Sequence, residues 1–193
     1  MKRYFLFFLL IFPAVFMKAQ IIRHGFEFGY VGNFEEIPAL EIKNPGGVSF
    51  RYHFIMEETG MGNLELQAGA QFFSLGSPGH NLEEPVYREK KFSLADITAA
   101  YAVNLIKPDY NAFQIIAGYA PGVYIYGDKV EFDDHIVGGI SGGTYKYRLN
   151  FMYHYALREH YIGSKYNRLT RQTASFSFKP HYISLTFMIL SGW

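Results

Sequence analysis

The chain has 193 residues and no cysteine, 49% of its residues are hydrophobic and 19% are aromatic, and its formal net charge is +1. The many aromatic residues argue against disorder, and the absence of cysteine excludes a disulfide scaffold, thiolate zinc sites and a lipid-modified cysteine. The near-neutral charge argues against a protein that binds nucleic acid. A mean hydropathy of −0.02 is too polar for a bundle of membrane helices.

The first twenty residues predict a secretory signal that is not part of the folded domain. Lys2 and Arg3 form a short basic region, and an apolar run follows from residue 4 to residue 16. A helix that spans a bilayer needs about 20 apolar residues, so this run is too short for a membrane anchor. The small residue Ala19 then marks the region of the cleavage site. We therefore expect residues 1–20 to be a signal peptide and residues 21–193 to form one domain.

Apolar residues alternate with polar or small residues along the rest of the chain, with the period of two that predicts β-strands. The alternation is clearest at 145–157, a segment longer than most strands of soluble sheets and long enough for a tilted strand to cross a bilayer. Segment 134–142 is apolar but rich in glycine, and it is the weakest strand prediction. The predicted strands, in chain order, are residues 25–30, 48–54, 64–72, 95–103, 113–120, 134–142, 145–157 and 183–189.

The connections between the predicted strands are alternately long and short. Long loops at one end only are typical of outer-membrane barrels. The predicted fold class is therefore all-β: an eight-stranded antiparallel up-and-down transmembrane β-barrel with short periplasmic turns and longer extracellular loops. The long connections are predicted at 35–45, 74–91, 126–133 and 158–180, and the short ones at 57–62, 104–110 and 143–144.

The two faces of the strands distinguish a membrane barrel from the alternative, a soluble barrel or sandwich. One face carries the aromatic side chains and the other carries small and charged ones. Phe and Tyr from every strand would overcrowd the inside of a narrow barrel, so we expect them to face lipid. Tyrosines near strand ends suit the membrane interface, where the ring contacts lipid and the hydroxyl contacts headgroups. These tyrosines are Tyr30, Tyr52, Tyr101, Tyr145 and Tyr155.

Several segments carry a family resemblance. They are "GGVSFRYHF", "FSLADITAAYAVN", "IIAGYAPGVYIYG", "KYRLNFMYHYAL" and the closing "YISLTFMILSGW". Together with a signal that ends in Lys-Ala-Gln, they resemble the small PorT-like outer-membrane β-barrel proteins. The resemblance implies an eight-stranded barrel in the outer membrane, and some members of the family assist secretion machinery. It assigns no functional residue to this chain.

Charged residues of both signs are predicted on the lumen face of the strands. The lumen of an eight-stranded barrel has room only for side chains, so we interpret these charges as a paired structural network. A selectivity ring or a proton path is the alternative. Arg51 and Arg148 are expected to pair with Glu27 and Glu65. The predicted lumen charges are Glu27, Arg51, Glu65, Asp96, Lys146 and Arg148.

No catalytic, metal or cofactor site is predicted. His53 and His154 face inwards on the predicted register, and Ala156 stands where a lipid A deacylase would need a serine. The glycines of 138–143 lack the lysine of a phosphate loop. The acidic segment 128–134 is expected to be a solvated loop, with a calcium site as the alternative. The other histidines are expected near strand ends or in loops: His24, His80, His135, His160 and His181.

The last predicted strand carries a candidate assembly signal. Phe187, Ile189 and Trp193 share one parity, and a terminal aromatic residue on an alternating strand resembles the signal read by the barrel assembly machinery. The alternative is that the indole of Trp193 only anchors the chain at the membrane interface.

These patterns predict a non-enzymatic integral protein of the bacterial outer membrane, exported through a cleaved N-terminal signal. Its expected role is structural, in assembly or as an accessory to secretion, and is carried out through its external loops. The expected partners are outer-membrane lipids, the barrel assembly machinery during biogenesis and a protein at the external loops, with no nucleic acid and no cofactor. The alternatives are a barrel that binds or transports a small hydrophobic molecule and, third, an outer-membrane lipid-modifying enzyme.

Overall fold

The computed structural model describes residues 19–33, 46–58, 62–75, 90–106, 111–126, 129–167 and 172–192. Among these residues, no helix is long and apolar enough to cross a membrane. Only the last two residues of the predicted signal are described, and they belong to the first strand. The strands are β1 (Ala19–Asn33), β2 (Gly46–Glu58), β3 (Gly62–Leu75), β4 (Lys90–Ile106), β5 (Asn111–Tyr126), β6 (Lys129–Thr144), β7 (Tyr147–Ala156), β8 (His160–Asn167), β9 (Gln172–Phe178) and β10 (Tyr182–Gly192).

Eight of these strands form a closed antiparallel barrel in the order β1-β10-β7-β6-β5-β4-β3-β2. Consecutive barrel strands are neighbours, and β1 closes the barrel by pairing with β10, where Phe28 lies opposite Phe187. Closure leaves no unpaired edge in the barrel sheet, so its backbone groups bond to one another. The predicted fold class, an eight-stranded up-and-down barrel, is confirmed.

Side chains of the barrel strands point alternately outwards and into the lumen. In β1, Phe26 and Phe28 are about half exposed, whereas Glu27 between them is 3% exposed. Strand β7 alternates between exposed and buried positions along its whole length. Four of the five tyrosines predicted near strand ends lie on the outer face of the strands, namely Tyr30, Tyr52, Tyr101 and Tyr155. Tyr145 is exposed between β6 and β7.

Strand β6 is longer than the sequence predicts, and the long connection expected at 126–133 is wrong. Its pairing with β5 extends to Tyr126 opposite Lys129, so only residues 127 and 128 connect the two strands. Val130 and Phe132 are exposed and continue the apolar outer face of β6. The acidic residues around them obscured this alternation in the sequence.

The connection predicted as a loop at 158–180 contains two strands, β8 and β9. They form a separate two-stranded sheet, in which His160 lies opposite Phe178. We call this sheet the β8–β9 hairpin, and the end of the barrel from which it extends the hairpin end. The opposite end, with connections 59–61, 107–110 and 145–146, is the short-turn end.

The turn between β6 and β7 also differs from its prediction. The Thr144 hydroxyl oxygen accepts the backbone N–H groups of Lys146 and Tyr147, so the turn lies at 145–146 rather than at 143–144. Gly143 precedes it with a φ of 151°, and a Cβ there would lie 2.2 Å from the Tyr147 carbonyl oxygen. Lys146 is therefore an exposed turn residue, and its prediction as a lumen charge is wrong.

Candidate functional site

The barrel lumen contains most of the charged residues that the sequence singled out. Five of the six predicted lumen charges are buried there: Glu27, Arg51, Glu65, Asp96 and Arg148. Lys146 instead lies 5.6 Å from the centre of the Tyr145 ring, in a cation–π arrangement outside the lumen.

A guanidinium group near the short-turn end binds carboxylates from two strands. Arg148, which is 1% exposed, has its Nη1 3.7 Å from Glu65 Oε1 and its Nη2 3.5 Å from Glu57 Oε1. Its Nη1 also donates a hydrogen bond to Gln114 Oε1 at 2.9 Å. Arg23 binds the same Glu57 oxygen at 3.2 Å, so Glu57 links two cations. A buried guanidinium of this kind is stable only when such partners compensate its charge.

The second arginine of the lumen binds across a glycine. Arg51 in β2 lies opposite Gly69 in β3, and Gly69 lies opposite Asp96 in β4. The Arg51 side chain crosses β3 and places its Nη2 2.8 Å from Asp96 Oδ2. A Cβ on Gly69 would lie only 2.3 Å from Arg51 Cγ, so glycine leaves the space for this crossing. Arg51 also donates to Thr98 at 3.0 Å and to the Tyr182 hydroxyl at 3.4 Å.

A histidine lies between two lumen carboxylates, Glu27 and Glu65. His53 has its Nε2 3.0 Å from Glu27 Oε2 and its Nδ1 3.9 Å from Glu65 Oε2. Asn150 donates a further hydrogen bond to Glu27. Glu27 lies opposite Arg51 in the register between β1 and β2, but the shortest charged contact of Arg51 is with Asp96.

The structure therefore brings Arg148 to Glu65 and Arg51 to Asp96. Arg51 was expected to pair with Glu27 or Glu65, but its ion pair is with Asp96, and Glu27 contacts His53 instead. Gln67, Asn150 and Gln114 are buried in the lumen as well, and sequence alternation alone does not indicate which charged group each one contacts. The register of neighbouring strands supplies that information.

A small cavity of about 10 Å³ lies in the middle of the lumen, between Glu27, Arg51, His154 and Ser184. Its walls combine polar and apolar side chains, and its size suits about one water molecule. Apolar side chains fill the lumen beside it, in one cluster with Ile116, Val137 and Met152 and in another with Ile55, Met188 and Leu190.

Ser184 places a hydroxyl group beside His154 in the lumen, although no serine stands two residues after that histidine. Its hydroxyl oxygen lies 3.3 Å from Nε2 of His154, because β10 and β7 are neighbours. Both side chains are buried in the lumen, away from the outer face where a lipid ester would lie. Within the described residues, Nδ1 of His154 has no hydrogen-bond partner, so no carboxylate orients the ring as a nucleophile's base requires. The pair is therefore poorly suited to catalysis.

A second polar cluster lies at the hairpin end. The prediction of a solvated loop at 128–134 is wrong, because the residues from 129 onwards belong to β6 and Asp133 and Asp134 are buried. Asp134 accepts hydrogen bonds from Arg158 at 2.8 Å and from the Tyr119 hydroxyl at 2.9 Å. His135 is buried in the lumen instead of lying at a strand end.

His160 joins this cluster from the β8–β9 hairpin. Its Nδ1 lies 2.7 Å from Glu131 Oε2, its Nε2 lies 3.2 Å from Asp133 Oδ1, and its ring stacks on Tyr124 at 4.8 Å. Burial alone would lower the pKa of His160, but Asp133 and Glu131 outweigh burial and raise that pKa above 6.5. Across the described ranges, no group of three His, Asp or Glu side chains is arranged to hold a metal ion.

The outer face of the barrel is an apolar belt, which we define as the exposed large hydrophobic side chains of the barrel strands. Phenylalanines of β1, β2 and β7 and aliphatic residues of β4, β5 and β6 contribute to it. Of the predicted assembly signal, Phe187 and Ile189 lie on this face, whereas Trp193 lies outside the described residues. The role of these three residues in assembly stays a prediction.

No protein-family model and no curated protein match this chain. Two solved structures of Ail, the attachment invasion locus protein of Yersinia pestis, are similar to it. The structure in complex with the heparin analogue sucrose octasulfate has a TM-score of 0.45 and 11% sequence identity, over 88% of this chain and 99% of that chain. The other has a TM-score of 0.34 and 12% identity, over 89% of this chain and 97% of that chain. At this identity the similarity concerns the fold alone.

Proposed function

We propose that this chain is an integral protein of the bacterial outer membrane, a small barrel of the PorT-like kind. The observation that carries the proposal is the inverted arrangement of its side chains, with the apolar belt outside and the charges inside. In β7, the outward face runs from Tyr147 through Phe151 to Tyr155. Eight residues at about 3.3 Å each, tilted by roughly 40°, give ~20 Å along the barrel axis, close to the band of about 25 Å in outer-membrane barrels.

The same side chains would be unfavourable on a soluble protein. Soluble monomers rarely expose a continuous apolar patch larger than a few hundred Å². Here the exposed apolar residues occur on every barrel strand, and examples on three strands are Phe50, Ile97 and Leu185. Lipid around the barrel would remove this surface from water, whereas a soluble barrel would need a partner on all sides.

We assign the protein a non-enzymatic role, structural, in assembly or as an accessory to secretion. A cavity of about 10 Å³ has no room for a small hydrophobic ligand, since such ligands occupy pockets of roughly 300–1,000 Å³. The charged side chains of the lumen pair with one another. The interaction surface is therefore outside the lumen, at the hairpin end, where the β8–β9 hairpin extends beyond the barrel.

Export and assembly complete the proposal. The segment 1–20 directs the chain out of the cytoplasm and is cleaved, and the barrel assembly machinery then recognises the last strand through Phe187, Ile189 and Trp193. Outer-membrane lipids surround the apolar belt in the assembled protein.

Two experiments test location and role separately. Membrane fractionation, followed by electrophoresis of boiled and unboiled samples, should find a heat-modifiable band in the outer membrane. Recovery in the soluble periplasm without a mobility shift would refute the location.

The role is tested by replacing residues 161–178 with a short Gly/Ser link and returning the gene to a deletion strain. The shortened chain should still give the heat-modifiable band but should not restore the envelope function that the full chain restores. Full restoration by the shortened chain would show that the hairpin is not the functional surface.

A further inference from the structure

The β8–β9 hairpin is held to the barrel at both of its ends by residues of β6. At its first residue, His160 contacts Glu131 at 2.7 Å and Asp133 at 3.2 Å. After its last strand, the carbonyl oxygen of Pro180 lies 3.3 Å from Nε2 of His135. Asp133 is common to both attachments, because its Oδ2 lies 3.5 Å from the same nitrogen of His135. We call His160, Glu131 and Asp133 the hairpin clamp.

The two carboxylates of the clamp favour a proton on each ring nitrogen of His160. A carboxylate can only accept hydrogen bonds, and a neutral imidazole has one N–H group. Here Nδ1 faces an oxygen of Glu131 and Nε2 faces an oxygen of Asp133. The two contacts are most favourable together when His160 is an imidazolium ion, which is the form that we assign to the clamp.

Loss of one proton would weaken the clamp at its buried side. The Asp133 side chain is fully buried and that of His160 is 5% exposed, so water does not screen their interaction well. Among the contacts that the described residues make, the groups that face the His160 ring include Glu131 and Asp133 from β6 and Tyr124 from β5. An ionised carboxylate has no proton to donate. When His160 loses a proton, the lone pair of its deprotonated ring nitrogen therefore faces the carboxylate of Glu131 or Asp133, and the two repel each other.

We propose that the β8–β9 hairpin is a pH-sensitive strap, clamped to the barrel rim while His160 is protonated and released at its β8 end when His160 loses that proton. His160 has a higher pKa in the clamped state than in the released state. The clamp is therefore fully formed below about pH 6.5, the ordinary pKa of histidine, and is lost as the pH rises through the raised pKa of the clamped state. A partner that binds the hairpin would therefore contact a different surface below the transition pH than above it.

The lack of native cysteine allows a direct test on the full folded chain in detergent micelles. A nitroxide label on Ser164→Cys, in β8 opposite Ser175 of β9, reports hairpin mobility by electron paramagnetic resonance from pH 5.5 to 9.5. The label should be immobilised at low pH and mobile at high pH, with a midpoint above 6.5. For release of one proton, the ratio of mobile to immobile label should change by about tenfold per pH unit within the transition.

Two variants separate the clamp from other titrations. His160→Gln should give a mobile label at every pH, whereas His24→Gln, which alters a histidine in β1 near the short-turn end, should leave the transition unchanged. A label whose mobility does not change with pH in the native background, or a transition that persists in His160→Gln, would overturn the proposal.

If His160→Gln does not fold, the proposal can still be tested on the chain without any substitution. Nitrogen NMR of the chain labelled with ¹⁵N-histidine should show both ring nitrogens of His160 protonated at pH 6, with a pKa above 6.5. A pKa at or below 6.5 would contradict the clamp.

Discussion

A positive charge in the middle of the apolar belt should destabilise the barrel far more than the same charge at its rim. Phe151 lies four residues from both Tyr147 and Tyr155, which is about 13 Å along the strand and ~10 Å along the axis from either tyrosine. Its cross-strand neighbours are the exposed apolar residues Ile140 and Leu185, so an arginine there would find no carboxylate beside it. Phe151→Arg should therefore cost about 2–4 kcal/mol in a lipid bilayer.

Val130→Arg is the matched control. Val130 is 66% exposed and lies near the start of β6, at the hairpin end. The same charge there should cost only about 0–1 kcal/mol because it reaches the aqueous interface. The free energy of unfolding is measured by urea titration in lipid vesicles, with the heat-modifiable band as the signal. Equal losses within about 0.5 kcal/mol, as expected at the surface of a soluble protein, would refute the membrane-facing assignment.

Four further predictions concern the lumen and the last strand. Arg51→Met should lower the free energy of unfolding by about 3–5 kcal/mol, because it leaves Asp96 buried without a cation. Adding Asp96→Leu should recover most of that loss, and strictly additive losses in denaturant titration would contradict the pairing. Lys146→Met should change the free energy of unfolding by less than about 0.5 kcal/mol, and a loss like that of Arg51→Met would place Lys146 in the lumen. Gly69→Ala should cost about 1–3 kcal/mol because its Cβ displaces the Arg51 side chain, and this loss should nearly vanish in an Arg51→Met background. Deletion of residues 192–193 should leave refolding in detergent intact but prevent assembly in cells, and normal surface levels of the truncated chain would favour an interface anchor.

The sequence predicts the barrel well because each strand is patterned by the same physical requirement. An apolar outer face and a narrow polar lumen impose a period of two, and in β7 that period is complete. It fails at the start of β6, where Glu131 and Asp133 have the composition of a loop although Val130 and Phe132 keep the strand's outer face. It also misplaces Lys146, whose parity matches Arg148 but whose backbone N–H binds the Thr144 hydroxyl in a turn.

The contacts inside the lumen could be predicted only in part. Alternation identifies which side chains enter the lumen, but it does not fix the register between strands. Arg51 reaches Asp96 because Gly69 stands between them in one row of the sheet, a relation that depends on the pairing of three strands. The hairpin clamp was missed for a similar reason, because His160 is far along the chain from Glu131 and Asp133.

The most direct test of the account asks which solvent surrounds the outer face of β7. Single cysteines at Leu149, Phe151 and Tyr153 carry nitroxide labels in a barrel reconstituted in lipid vesicles, and Lys146→Cys in the turn serves as the aqueous control. Collision with oxygen, which partitions into lipid, and with a water-soluble nickel chelate is measured at each position. We expect the three strand labels to collide mainly with oxygen, most strongly at position 151, and the label at 146 to collide mainly with the chelate. Strand labels that collide with the chelate as often as the label at 146 would show that this face contacts water, and the protein would not be a membrane barrel.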